Sequence, residues 1–488
     1  MTTSTEMSAS TIETRQRLWI AGKWVPGDAG QTFDVIDPAT GETVGACADG
    51  NAIDARRALD AAVAVADAWA TTPARTRAEI LRRVFDAIVY RSEEFAALIT
   101  TEAGKPLDES RAEVAYGAEF FRWFSEEAAR IAGRYGPNPE GTGEVVVTHR
   151  PVGPCYLVTP WNFPLAMAAR KIAPALAAGC TAVVKPADLT PLTTLLLCDV
   201  LAEAGVPDGV VNVVTTTDPA AVSDALMGDS RLRKVSFTGS TGVGRQLIAQ
   251  SAQHVLRTSM ELGGNAPFLV FGDADLDAAV AGALVAKFRN VGQACTAANR
   301  FFVHSSLVDS FVERVTAAVE AMTVGAGNSP GVTIGPLISN RAAANVARMV
   351  ADAQARGARL RTGGTRVDRP GFFYAPTVLD HVPADSEVMQ QEIFGPVMAV
   401  TSFETEDEAV EAANNTEYGL VAYAYTRDLA LAHRLIDRLE TGMLGLNTGV
   451  VSNAAAPFGG LKSSGLGREG GVEGIAEYLS STYALIAR

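Results

Sequence analysis

Thr181-Ala182-Val183-Val184-Lys185 is a short apolar run with β-branched residues at its centre. A helical pattern from Pro191 to Ala204 separates it from a second such run, Val210-Val211-Asn212-Val213-Val214. Continuous apolar runs of this length suit strands covered on both faces. The unit repeats in both directions. Upstream stand a strand pattern at Val152–Val158 and a helix at Pro164–Ala178; downstream come a helix at Pro219–Met227, a strand at Lys234–Phe237 and a helix at Gly242–Ala252. Strand–helix alternation with short connections predicts an α/β fold with a doubly wound parallel sheet of Rossmann type. A second alternating block starts at Ala266-Pro267-Phe268-Leu269-Val270 and continues to about Asn447, which predicts a second α/β domain.

Ahead of these blocks, residues 1 to about 17 read as a loose arm, followed by strand patterns at Leu18–Ile20 and Phe33–Ile36. Helical spacing covers Asn51–Trp69, Arg75–Ile99 and Glu109–Ile131. The last of these carries Tyr116, Phe120, Phe121, Trp123 and Phe124, whose rings are assigned to packing against the sheet. The 133–150 segment, strand-like from Glu144 to His149, and the tail from Glu473 to Ile486 are expected to form a β arm between subunits.

The 488 residues are 48% hydrophobic and 20% charged, enough apolar material for a large core. A net charge of −14 argues against a nucleic-acid or acidic-membrane surface. Five cysteines without a CxxC pair, and dispersed histidines, predict a reducing compartment and no metal site. The first ten residues lack the apolar segment of a signal peptide, and no apolar run approaches the roughly 20 residues of a membrane span. A cytoplasmic location is expected.

Two stretches carry chemistry. In Val291-Gly292-Gln293-Ala294-Cys295-Thr296, a cysteine follows a glycine turn at the end of a helical run from Leu276 to Asn290. A lone cysteine is more often a small buried residue, but as thiolate it is a strong nucleophile able to form a thioester. In Phe237-Thr238-Gly239-Ser240-Thr241-Gly242, small residues link a strand to a helix, where backbone N–H groups and the helix N-terminus suit a pyrophosphate.

With Pro160-Trp161-Asn162-Phe163-Pro164, Lys185-Pro186, Glu261-Leu262-Gly263-Gly264, Glu392-Ile393-Phe394-Gly395-Pro396 and Pro457-Phe458-Gly459-Gly460, these stretches form an ordered set of seven landmarks. Over roughly residues 18–488 the sequence resembles the aldehyde dehydrogenase superfamily. The resemblance implies that Cys295 attacks an aldehyde carbonyl, that Asn162 and the Cys295 N–H hold the oxyanion, and that hydride passes to a nicotinamide. It implies further that Glu261 activates water against the resulting thioester. Lys171 and Glu469 match proton-relay positions, although both would serve equally as ordinary ion-pairing surface residues. On the cofactor side it implies Trp161, Lys185, Gly239, Ser240, Glu392 and Phe394. Asp188, a carboxylate suited to a ribose 2′-hydroxyl, favours NAD over NADP. The domains expected are a dinucleotide-binding unit (1–130 and 148–262), a catalytic unit (263–460) and an oligomerisation arm (131–147 and 470–488) in a homodimer or homotetramer.

Ala169-Arg170-Lys171, Lys287-Phe288-Arg289-Asn290 and the 447–470 segment resemble the succinate-semialdehyde dehydrogenase branch. That branch implies that Arg170, Arg289 and Ser452 bind the substrate's distal carboxylate while Phe163 and Phe458 wall its path. Two guanidinium groups and a hydroxyl are a sound physical match for a carboxylate. Alanine at position 297 removes the second cysteine that some members of the branch use as a redox switch. Glutarate-semialdehyde oxidation, broader aldehyde oxidation, a cysteine hydrolase and a non-catalytic scaffold are the competing readings. The hydrolase would want a partner histidine, and none falls within the landmark set.

Overall fold

A computed structural model describes residues 16–487; the N-terminal arm expected over 1–17 therefore falls almost wholly outside the described residues. Five parallel strands form the centre of the first sheet: β1 (Cys155–Val158), β2 (Ala182–Lys185), β3 (Val211–Val213), β4 (Lys234–Thr238) and β5 (Arg257–Glu261), in the order β3-β2-β1-β4-β5. Short antiparallel strands finish the edges, Leu18–Ile20 beside β3 and Gly465–Leu466 beside β5. Strand order reverses between β1 and β4, so the crevice beyond their carboxyl ends is the natural ligand site.

The chain passes directly from β5 into the second sheet at β6 (Ala266–Val270), which pairs in parallel with β7 (Ala298–His304) and lies near the middle of seven strands. Each sheet has its own apolar core, as the two alternating sequence blocks predict. The tail strand Leu479–Ala487 runs antiparallel to Gly143–Pro151 of the same chain over nine register pairs. No helix among the described residues is long and apolar enough to cross a membrane.

Three expectations need correction. The helical pattern over Arg75–Ile99 is two helices, Ala74–Tyr90 and Ser92–Ala103, broken at Arg91. The helix before the cysteine, α3 (Leu276–Phe288), stops two residues early because Asn290 and Val291 adopt positive φ of 50° and 58°. The aromatic helix α1 (Leu107–Glu127) packs on the neighbouring helices α2 (Pro164–Ala178) and Ala74–Tyr90, burying Phe120, Phe121 and Phe124 there rather than against the sheet.

Candidate active site

Four carboxyl-terminal turns converge between the sheets. The turn after β1 supplies Trp161, Asn162 and Phe163 ahead of α2, and the turn after β4 supplies Gly239 and Ser240 ahead of a helix at Thr241–Ser251. The turn after β5 supplies Leu262 and Gly263, and the loop after α3 supplies Cys295. They enclose a cavity of about 290 Å³ whose wall is mostly apolar.

Cys295 is half-buried in that wall, the other four cysteines being fully buried. Its loop is held against the turn after β5 so closely that a Cβ on Gly264 would come within 2.5 Å of the Cys295 carbonyl oxygen. Burial pushes the Cys295 thiol up to about 12, while the charge of Arg170 pulls it down. Asn162 also lines the cavity. Its Nδ2 donates to the Gln293 carbonyl at 2.9 Å, which fixes the amide's orientation because the reverse would oppose two acceptors. The second Nδ2 proton remains for a ligand.

Glu261 ends β5 behind the cavity wall, 3% exposed, with neither carboxylate oxygen hydrogen-bonded. The chain backs it tightly: a Cβ on Gly459 would lie 2.9 Å from Oε1. Burial, and next the charge of Glu469, raise its pKa well above the usual carboxylate range. Such a carboxyl holds a proton more firmly than an exposed one, as a general base requires. Beside it Glu469 bridges Lys171 Nζ at 2.5 Å and Arg170 Nε at 2.7 Å, and Lys171 also donates to Ser236 Oγ at 2.9 Å. Burial lowers the Lys171 pKa. Lys171, Glu469 and Glu261 thus form one buried polar cluster adjoining the cavity through Arg170.

On another side, Trp161 and Phe394 meet edge-to-face at 5.4 Å. Glu392 lines the cavity beside them and accepts a hydrogen bond from the Gly264 N–H at 3.4 Å; burial raises its carboxyl to about 7. Ser240 stands at the N-cap of the following helix without a side-chain capping bond, and the buried Thr238 Oγ1 has no partner among the described residues. Free donors at a helix N-terminus over a cavity, flanked by a carboxylate and an aromatic pair, fit a nicotinamide dinucleotide. Lys185 and Asp188 lie outside this cavity, at the adjacent carboxyl end of β2. Lys185 is buried, which lowers its pKa against the opposing charge of an exposed Asp188.

Arg170, Arg289 and Ser452 all line the cavity that holds the thiol, as do Phe163 and Phe458. Arg170 is 1% exposed and its guanidinium lies 3.9 Å over the Phe458 ring. The Glu469 carboxylate sits at its Nε without a linear hydrogen bond, and Nη2 has no partner among the described residues. Arg289 reaches Thr296 Oγ1 at 3.4 Å and lies 5.6 Å over Phe163. Tyr116 is the residue that the sequence misplaced. It lines the same cavity, and its buried hydroxyl has no partner among the described residues. Its spacing from Phe120 marks the same helical stripe, so no sequence signal separates a cavity wall from core packing there.

Residues 24–483 match the aldehyde dehydrogenase family. The chain belongs to the aldehyde dehydrogenase family. This aldehyde dehydrogenase is 58% identical over 434 residues to a succinate-semialdehyde dehydrogenase of Paenarthrobacter nicotinovorans, covering 89% of this chain and 96% of the relative. It is 47% identical to a glutarate-semialdehyde dehydrogenase of Pseudomonas aeruginosa, covering 96% and 97% of the two chains. A solved succinate-semialdehyde dehydrogenase from Burkholderia pseudomallei superposes with a TM-score of 0.97 at 48% identity, covering 99% of this chain and all of that one. The aldehyde dehydrogenase family uses NAD or NADP.

Proposed function

We propose that this aldehyde dehydrogenase oxidises succinic semialdehyde to succinate, with NAD preferred over NADP. The observation that carries the substrate reading is the pair of guanidinium groups, Arg170 and Arg289, in the cavity of Cys295. A neutral aldehyde leaves the buried Arg170 Nη2 without a partner, a loss that a distal carboxylate repairs with Ser452 as a further donor.

In this reading the Cys295 thiol gives up its proton to water in the cavity as its sulfur attacks the aldehyde carbon, and the oxyanion that forms accepts the spare Asn162 N–H and the Cys295 backbone N–H. The dinucleotide, when bound, supplies the acceptor for the hydride lost from that carbon as the thioester forms. Glu261 then takes a proton from water as its oxygen attacks the thioester carbon, and the C–S bond breaks to give the acid and free Cys295. Lys171 and Glu469 provide the path by which that proton leaves. Trp161, Phe394, Glu392, Gly239 and Ser240 hold the dinucleotide, with Lys185 and Asp188 at its adenosine end. The exposed carboxylate of Asp188 supports NAD because it repels a 2′-phosphate.

Residues 16–130 and 148–262 serve as the dinucleotide-binding unit and 263–460 as the catalytic unit in this scheme. The arm strands expose Tyr135, Tyr483, Leu485 and Ile486, which supports a homodimer or homotetramer. Cysteine spacing supports a cytoplasmic location.

The test is kcat/KM for succinic semialdehyde, glutaric semialdehyde and butanal, with NAD and NADP in parallel. A preference for succinic semialdehyde over butanal of about 10² or more, near the ~3 kcal/mol of a charge-assisted pair, is expected. Equal rates with butanal refute the arginine pocket, and a larger value for glutaric semialdehyde shifts the assignment by one methylene.

A further inference from the structure

Lys105 and Glu113 stand outside the cavity, and no part of the scheme above uses them. Both side chains are fully buried and 2.5 Å apart, Lys105 Nζ to Glu113 Oε2. A buried ion pair is a costly way to gain stability, so what each partner does with its other contacts is informative. Glu113 Oε1 accepts the backbone N–H groups of Leu165 and Ala166, at 3.0 and 3.3 Å. These are unpaired donors of the first turn of α2, whose N-cap residue Phe163 makes no capping bond of its own. Lys105 Nζ donates to the Asn162 carbonyl at 2.8 Å and lies 4.1 Å over the Phe163 ring. One ion pair therefore grips both ends of the Asn162-Phe163-Pro164 turn.

The grip extends to the cysteine loop. Asn290 Nδ2 donates to the same Asn162 carbonyl at 2.9 Å and to the Gln293 carbonyl at 3.1 Å. Asn290 is held at its positive φ by a 2.7 Å bond from its N–H to Glu109, which lies on α1 with Glu113. Leu107, two residues after Lys105, donates its N–H to the Gly327 carbonyl, so the lysine is anchored between the two sheets' units.

From this geometry we infer that Lys105 and Glu113 are positioning residues for the reaction: the lysine fixes the Asn162 backbone so that its side-chain amide is presented to the cavity that Cys295 lines. The inference rests on the proposed role of Asn162 as oxyanion donor. It assigns Lys105 an effect on the rate of the first chemical step, with little on substrate or cofactor affinity.

The experiment is a double-mutant cycle on the single-turnover rate of cofactor reduction, followed by stopped-flow absorbance with succinic semialdehyde. Lys105→Met is made together with Glu113→Gln, which leaves no buried charge unpaired and keeps an oxygen for the two amides. Lys105→Gln alone keeps a donor beside Glu113 should that double variant fail to fold. Each is compared in the wild-type and Asn162→Ala backgrounds, and dissociation constants for NAD and unfolding midpoints are measured alongside.

The expected result is a loss of about 10- to 10²-fold in the wild-type background, in keeping with misplacement of an oxyanion donor, and under about twofold in the Asn162→Ala background. NAD affinity is expected to stay within about twofold. An equal loss in both backgrounds, or none in the wild type, overturns the inference while leaving Asn162 in place. A silent Asn162→Ala overturns the oxyanion reading and the inference with it.

Discussion

Replacing Arg289 by methionine separates recognition of the carboxylate from the chemistry of the aldehyde. The two cavity arginines are not equivalent. Arg170 is tied to Glu469 at 2.7 Å inside the buried cluster that also holds Glu261, so removing it takes one of the two buried cations from that carboxylate and leaves Lys171 alone to hold it. Arg289 has only a 3.4 Å contact to Thr296 and a 5.6 Å approach to Phe163. Its guanidinium is the freer of the two to bind a ligand, and methionine keeps most of its apolar stem. A charge-assisted hydrogen bond contributes about 1.5–3 kcal/mol, which converts to a loss of roughly 10- to 150-fold in kcat/KM for succinic semialdehyde. Butanal offers no carboxylate, so its kcat/KM is expected to stay within about threefold of the wild-type value. The assay is steady-state cofactor reduction with both aldehydes at saturating NAD, on protein whose unfolding midpoint matches the wild type. Parallel losses for the two aldehydes would refute the reasoning, since they would place Arg289 in support of Cys295 rather than of the substrate. An unchanged rate for the semialdehyde would refute it from the other side.

Other substitutions test the remaining assignments. Glu261→Gln is expected to retain the initial burst of cofactor reduction and to lower steady-state turnover by about 10²–10⁴-fold, because only thioester hydrolysis needs the base; undiminished turnover excludes Glu261 from that role. Tyr116→Phe deletes a buried hydroxyl that has no partner among the described residues. Stability is expected to hold while KM for succinic semialdehyde rises about two- to tenfold, the size of a neutral hydrogen bond, and KM for butanal stays fixed. Lys287 is buried with Nζ bonded to Asn299 Oδ1 at 2.9 Å, and burial lowers its pKa to about 7. The unfolded chain, with a lysine value near ~10.4, holds a proton between these limits that the folded protein lacks, so stability rises with pH across that window by up to ~1.4 kcal/mol per unit. Lys287→Met removes this contribution, and a shallower climb of the urea midpoint between about pH 7.5 and pH 9.5 is the expected readout; identical slopes refute it.

The alternating apolar runs from Val152 to Ala252 determined the parallel sheet, because period and length of hydrophobic runs are local properties of the chain. The glycine turns likewise placed Cys295 and Gly239 on turns, and those turns, with the Asn162 landmark, do converge on one cavity. The sequence could not say which side chains face that cavity. Tyr116 and Phe120 share a helical stripe, yet one lines the cavity and the other is core, since only the docking of α1 on α2 distinguishes them. Nor does spacing show that Arg170, a candidate ligand for substrate, is also the ion-pair partner of Glu469, 299 residues away in sequence. Glu113 falls inside the helical pattern from Glu109 to Ile131 and Lys105 just outside it, and only burial turns the two into a clamp on the Asn162 turn. Charge pairing across long sequence separation depends on where the two sheets bring their ends together, and that is settled by tertiary packing alone.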